Sequence, residues 1–162
     1  MRSKEELLAE FSGMLAFAES LRDIEERQWL APIAPNKWSV QSIVSHLLLW
    51  DRYYLQEAVS KIAAGEQPTV KHIDFDEFNQ GAAAYGTRKT RGELLDEFAA
   101  CRQQLLRQLA LIPEEKYGAV YIDGDGKPLT IYGYLDGFIP HDRQHRTEVE
   151  RFLARWNDSS TN

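Results

Sequence analysis

The stretch 130–156, TIYGYLDGFIPHDRQHRTEVERFLARW, carries the pattern that decides the fold. Tyr134, Phe138, His141, His145, Val149, Phe152 and Trp156 follow one another at steps of three and four, which lines them up along one face of an α-helix. The periodicity predicts a helix from Thr130 to Trp156. Pro140 lies inside it, with no N–H to donate and a ring that crowds the carbonyl four residues back. A kink, or a fresh helix start, is expected there. Two places in this otherwise apolar row are imidazoles.

Upstream, three more helices are marked by their caps. Ser3 and Glu6 form a capping box, in which each side chain satisfies a backbone N–H at the helix start, and Leu7, Leu8, Phe11, Met14, Leu15, Ala18 and Leu21 then recur at helical spacing. Pro32 and Pro35 mark the connection that follows. Ser39 is a good N-cap, with Trp38 before it and Ile43 inside as a hydrophobic staple. The apolar side of this second helix is Val40, Ile43, Val44, Leu47, Tyr54, Leu55, Ala58 and Ile62, and Gly65 is a natural stop. Thr90 and Glu93 make a second capping box ahead of Leu94, Phe98, Cys101, Leu105, Leu109 and Ile112, closed by Pro113. The pattern is that of an all-α four-helix bundle.

Two connections are informative. About 25 residues separate Gly65 from Lys89, long for a bundle loop, so the chain can cross the bundle end to end and helices two and three can run parallel. A short helix over Asp74–Ala84 fits within this crossover. Val120-Tyr121-Ile122 followed by Asp123-Gly124-Asp125-Gly126 reads as a small hairpin or turn. The spacing and closing Glu of a calcium loop are absent from it. Residues 1–156 are read as a single domain and 157–162 as a polar C-terminal tail.

Composition narrows the function. The chain has 162 residues, 43% hydrophobic and 27% charged, enough for one packed domain. A net charge of −6 and the lack of a basic run argue against a nucleic-acid partner. The start lacks the apolar run of a signal peptide, and the longest apolar stretches are too short for a membrane span. Cys101 stands alone, which rules out an intrachain disulfide and fits a reducing cytoplasm.

His141 and His145, four residues apart, stand about 40° apart around the helix axis and about 6 Å along it, so both rings can reach one ion. Two buried imidazoles without partners are costly, and a metal that takes a lone pair from each removes that cost. His46 sits at the edge of the second helix's apolar stripe and could supply a third ligand, leaving a position for water. Such a His-x-x-x-His pair is also compatible with core-edge histidines that bind nothing. Asp51, five residues after His46, and Glu148, three after His145, are the carboxylates that could take a second imidazole N–H; both could equally be solvated or helix-pairing acids. Trp50, Tyr53 and Tyr54 are candidates for pocket walls or for core packing. His72 reads as a surface loop histidine, and Cys101 as a small core residue.

Lys37–Leu47, KWSVQSIVSHL, resembles the second-helix motif of the DinB/YfiT-like superfamily, and His141–Val149, HDRQHRTEV, resembles its C-terminal metal motif. Helix order and the long crossover match as well, so the resemblance spans nearly the whole chain. It implies an up-down-down-up bundle, often a homodimer, with one nickel, zinc or iron ion held by three histidines, here His46, His141 and His145. Characterised relatives include thiol S-transferases using bacillithiol, mycothiol or glutathione, a thiol-dependent isomerase, and proposed metal-dependent hydrolases.

The expectation is therefore a cytoplasmic divalent-metal-dependent enzyme on small molecules, a low-molecular-weight thiol S-transferase in detoxification or stress response. The alternatives are a metal-dependent hydrolase and a non-catalytic metal-containing binding or stress protein. A transferase should offer cations to a thiol's acidic groups, for which Arg143, Arg146 and Lys71 are the candidates. A hydrolase should place an acid or base beside the open metal position. A binding protein should close the site with a fourth ligand, for which His72 is the candidate.

Overall fold

The computed structural model describes residues 2–160. Helix α1 spans Lys4–Ser20, α2 Glu26–Leu30, α3 Val40–Tyr54, α4 Ser60–Ala63, α5 Phe75–Thr87, α6 Arg91–Leu111 and α7 Ile131–Ser160. A 3-10 turn at Glu114–Lys116 and a two-stranded antiparallel hairpin, β1 (Tyr121–Ile122) and β2 (Pro128–Leu129), precede α7. The expected starts are present. Ser3 and Glu6, and Thr90 and Glu93, form reciprocal capping boxes, and Ser39 Oγ accepts from the Ser42 N–H. The expected second helix is α3, a π turn at Leu55–Val59 and α4 in one continuous run, stopped at Gly65 with a left-handed φ of 78°.

Side-chain pairings fix the directions of the four long elements. Lys4 Nζ donates to the carbonyls of Ala110 and Ile112, while Arg22 reaches Asp96, so α1 and α6 are antiparallel. Arg2 meets Asp136, Arg143 meets Glu10 and Gln28 meets Asn157, so α1 and α7 run in the same sense. Tyr54 stacks on Tyr134, Trp50 faces Phe138 and His46 faces His141, so α3 runs against α7. The crossover with α5 inside it carries the chain back to the start of α6. Leu7, Phe11, Leu21, Ile43, Leu48, Leu94, Leu95, Phe98, Leu105 and Leu135 fill the interior at 0–1% exposure. Each such side chain stabilises by about 1.5–3 kcal/mol. Trp29 joins this core, whereas Leu30 beside it is exposed. No helix among the described residues is long and apolar enough to cross a membrane.

Two local expectations change. The helix does not start afresh at Pro140: α7 runs through it as one helix, because Pro140 and Asp136 lie on its exposed side, where an unpaired carbonyl can meet water. It also continues through Asn157–Ser159 to Ser160, so the expected polar tail begins as exposed helix; residues 161–162 of that tail, like Met1, lie outside the described residues.

The π turn is a third departure, without a signal in the sequence. Ser60 donates both its N–H and its hydroxyl to the Leu55 carbonyl. The Glu57 carbonyl accepts from the Thr69 and Val70 N–H groups at 2.8 and 3.1 Å. The Val70 carbonyl in turn accepts from Gly124 at 2.8 Å. A Cβ on Gly124 would lie 2.6 Å from the Thr69 carbonyl, so glycine is required for this close approach. Tyr53 Oη bonds both the N–H and the carbonyl of Lys71 at 2.9 Å. The crossover is thereby tied to α3 on one side and to the hairpin on the other.

Candidate metal centre

His46 faces inward from α3 and is 5% exposed, while His141 and His145 approach it from α7. The ring centroids lie 5.3 Å (His46–His141), 5.0 Å (His46–His145) and 4.6 Å (His141–His145) apart. One ligand atom from each of the three falls within 4.8 Å of the others. The crossing of antiparallel α3 and α7 creates this meeting, since each helix brings its imidazoles to the same level of the bundle.

Asn79 on α5 sets the tautomer of His46. Its Oδ1 accepts from the Trp50 indole N–H at 3.2 Å, and an indole can only donate, which fixes the amide orientation. The same oxygen lies 2.9 Å from His46 Nδ1, so that nitrogen carries the proton. His46 Nε2 is left with a bare lone pair, 3.3 Å from His141 Nε2. Two nitrogens at zinc-bond lengths and the tetrahedral angle stand roughly 3.3 Å apart. α5 can hold Asn79 here because Gly86 packs against Ser45 too tightly to admit a Cβ (2.9 Å), and Ser45 Oγ donates to the Ala82 carbonyl.

The other two histidines turn buried Nδ1 atoms toward carboxylates without bonding them. His141 Nδ1 is 3.6 Å from Asp142 and His145 Nδ1 is 3.8 Å from Glu148, beyond hydrogen-bond range, and both nitrogens lack a partner. An imidazole that gives its Nδ1 proton to such a carboxylate presents Nε2 to an ion, the usual arrangement around metals. Burial, then the neighbouring His145, pushes His46 down to about 4; burial and then His141 lower His145. Both stay neutral at pH 7, as ligands must. The geometry, the tautomer and the orphaned nitrogens fit a divalent ion.

Behind His141 lies a buried ion cluster. Arg102 on α6, at 0% exposure, bonds Asp51 through two nitrogens at 2.7 and 2.9 Å, Asp142 at 3.0 Å and the Phe11 carbonyl at 2.9 Å. Its guanidinium also sits 3.8 Å from the centre of the Phe11 ring. Burial pushes the Asp51 carboxyl up and Arg102 pulls it back. Asp51 therefore does not receive an N–H from His46, and it is neither solvated nor a surface helix-pairing acid. It holds Arg102, which holds Asp142, which faces His141. Arg102 occupies the core row after Leu94 and Phe98, and the reasoning that singled out the histidines would have found it. Asn79, placed by a crossover helix, left no such signal.

The remaining candidates separate clearly. Trp50 and Tyr54 do wall a cavity, together with Phe75, Phe138, Gly137, His46, Asn79 and His141; its volume is about 420 Å³. Trp38 lies over His46 and His145 (centroids 4.9 and 6.3 Å), and with His145 and Glu148 it borders a second cavity of about 360 Å³. Tyr53 binds the crossover. His72 is exposed against Phe75 and is not one of the three clustered histidines. Arg143 and Arg146 face a separate cleft along α1, while Lys71 borders a cavity that shares Trp50, Tyr54 and Phe75 with the aromatic one. Cys101 is buried in the core, and burial pushes its thiol up to about 12, which removes it as a nucleophile.

Comparison with known proteins agrees with this architecture. The chain is similar in structure to YfiT from Bacillus subtilis, described as a probable metal-dependent hydrolase with an unusual four-helix bundle topology. The TM-score is 0.76 at 14% identity, over 95% of this chain and 87% of that one, a likeness of fold. No curated protein matches the chain. The family model of the DinB superfamily matches residues 6–149, and with a match of that extent the chain belongs to the DinB superfamily.

Proposed function

We propose that the chain is a metal-dependent enzyme acting on small molecules, with one divalent ion of nickel, zinc or iron held by His46, His141 and His145. The observation that carries this reading is that these imidazoles converge, His46 and His145 held neutral, where His46 and His141 line one cavity large enough for a small ligand and His145 borders another. Such an ion would supply Lewis acidity, holding a thiol as thiolate or lowering the pKa of water. Asn79 keeps His46 Nε2 free for the ion, and Arg102 holds Asp142, the carboxylate that would take the Nδ1 proton of His141 on closing from 3.6 Å. No fourth histidine joins the cluster among the described residues, which favours an accessible site over a closed, purely binding one.

Transfer of a low-molecular-weight thiol to an apolar electrophile is the reading the aromatic cavity favours. Trp50, Tyr54, Phe75 and Phe138 offer an apolar surface to such an electrophile, and no carboxylate among the described residues lines that cavity to serve as a base. Of the three expected cations, Lys71 is the one that borders an adjoining cavity, together with Lys127, Asp123 and Asp125. Hydrolysis is the second reading, favoured by Glu148, which borders the other cavity beside His145.

Elemental analysis of the purified protein beside His141→Ala is the test. Near-stoichiometric nickel, zinc or iron in the parent and its loss in the variant are expected, and thiol-dependent consumption of an electrophile by the loaded parent should follow. A parent that contains no metal and takes up none of the three would overturn the proposal.

A further inference from the structure

We infer that the aromatic cavity beside the histidines is a subsite for a planar aromatic ring of the ligand, and that Gly137 is the residue that sets its size. The inference rests on the proposed function only for the statement that ligand chemistry occurs at the histidine end.

The walls carry aromatic rings from three helices. Trp50 and Tyr54 come from α3, Phe75 from α5 and Phe138 from α7. They are held by neighbouring rings, with Trp50 tilted against Phe78 at 4.3 Å and Tyr54 lying 5.1 Å from Tyr134 and 4.9 Å from Phe138. The single indole N–H of Trp50 is already given to Asn79, so that ring offers the cavity its surface and no donor. A cavity of about 150 Å³ suffices for benzene, so a volume of about 420 Å³ holds a ring together with a group directed at the histidines. Phe75 is 56% exposed, an apolar ring left in water on the wall of this cavity. Aromatic rings meet other rings edge-to-face or offset, which is more favourable than contact with an aliphatic group of equal area.

Gly137 has no structural reason to be glycine. It lies within α7, where glycine is less stable than alanine, and its φ is not left-handed. A Cβ built on it meets nothing within 4 Å. What distinguishes it is position: it stands four residues before His141, on the same face, and lines the cavity. A side chain there would start in open space at the cavity wall. The missing side chain keeps open the space that a ring would fill.

The test uses the whole metal-free chain. Benzyl alcohol and cyclohexylmethanol are titrated against it while the Trp50 indole N–H signal, assigned with Trp50→Phe, is followed by NMR. Saturable shifts are expected, with benzyl alcohol bound roughly five- to tenfold more tightly than its saturated counterpart. Gly137→Leu should abolish the shifts while circular dichroism and melting temperature stay as in the parent, and Gly137→Ala should weaken them in part. Absence of a saturable shift, equal binding of the two alcohols, or undiminished binding by Gly137→Leu would each overturn the inference. Zinc titrated into the same samples separates this result from the proposed function. Ring binding without zinc uptake removes the metal and keeps the subsite; zinc uptake without ring binding does the reverse.

Discussion

Replacing Arg102 by Met should unfold much of the margin that keeps this protein folded, and the size of the loss can be worked from its contacts. The substitution keeps side-chain length but strands Asp51 and Asp142, 2% and 3% exposed, and the Phe11 carbonyl, which together accept four hydrogen bonds. A stranded buried carboxylate escapes its charge by binding a proton, which at pH 7 costs about 4 kcal/mol for a group that ionises near 4 in the unfolded chain. Breaking buried ion pairs costs about 3–5 kcal/mol by measurement on other proteins, in agreement. Domains of this size are stable by only about 5–15 kcal/mol. The expected loss at pH 7 is thus at least about 4 kcal/mol, the cost of one protonated carboxylate, read from urea unfolding followed by circular dichroism. The sign with pH is also set. In the variant the folded-state carboxyl pKa lies above its unfolded value, so the folded state binds more protons and the deficit shrinks as pH falls, by up to about 1.4 kcal/mol per unit for each carboxylate that protonates. Adding Asp51→Leu to Arg102→Met should recover a large part of the loss. A deficit under about 1 kcal/mol, or one that does not shrink between pH 7 and pH 5, would refute the claim that these carboxylates depend on Arg102.

Two further outcomes follow from the site. Asn79→Ala removes the oxygen that orients His46 and should weaken zinc binding by about 10- to 100-fold in a chelator competition, with circular dichroism unchanged; unaltered affinity would leave Asn79 a packing residue only. The metal-free protein should lose stability in acid through His46, whose folded-state value of about 4 lies below the 6.5 of an unperturbed histidine. The unfolded chain then binds the extra proton, so stability is full above pH 6.5 and falls by up to about 3 kcal/mol as pH drops to 4. His46→Gln should flatten that slope, and an equally steep slope in the variant would assign it to other groups.

Helix starts were legible because caps are local: Ser3–Glu6, Ser39 and Thr90–Glu93 bond their own first turns whatever the rest of the chain does. His46, His141 and His145 were legible as polar residues in or at the edge of apolar rows, and the fold brings them together. The supporting residues were harder to read because their roles depend on tertiary neighbours. Asp51 looked like an acid near His46 in sequence, yet it turns toward α6, since α3 packs its Asp51 face on that helix. Asn79 takes its meaning from where a long crossover happens to lay α5. Of the kink or fresh start that Pro140 signalled, solvent exposure made the fresh start unnecessary, and the π turn of Leu55–Val59 has no composition of its own.

That π turn bears on how the pocket can change over evolutionary time. The middle of an α-helix ordinarily has no spare acceptor, because every carbonyl serves the next turn. Here the Glu57 carbonyl is released to hold two N–H groups of the crossover, and Val70 passes the connection on to the hairpin through backbone atoms alone. Main-chain anchors are indifferent to side-chain identity. The segment that carries Lys71, His72 and Phe75 past the aromatic cavity can therefore exchange those residues without losing its mooring. A rim free to vary above histidines fixed by two rigid helices lets one scaffold try new ligands by substitution, with the centre that would act on them left undisturbed.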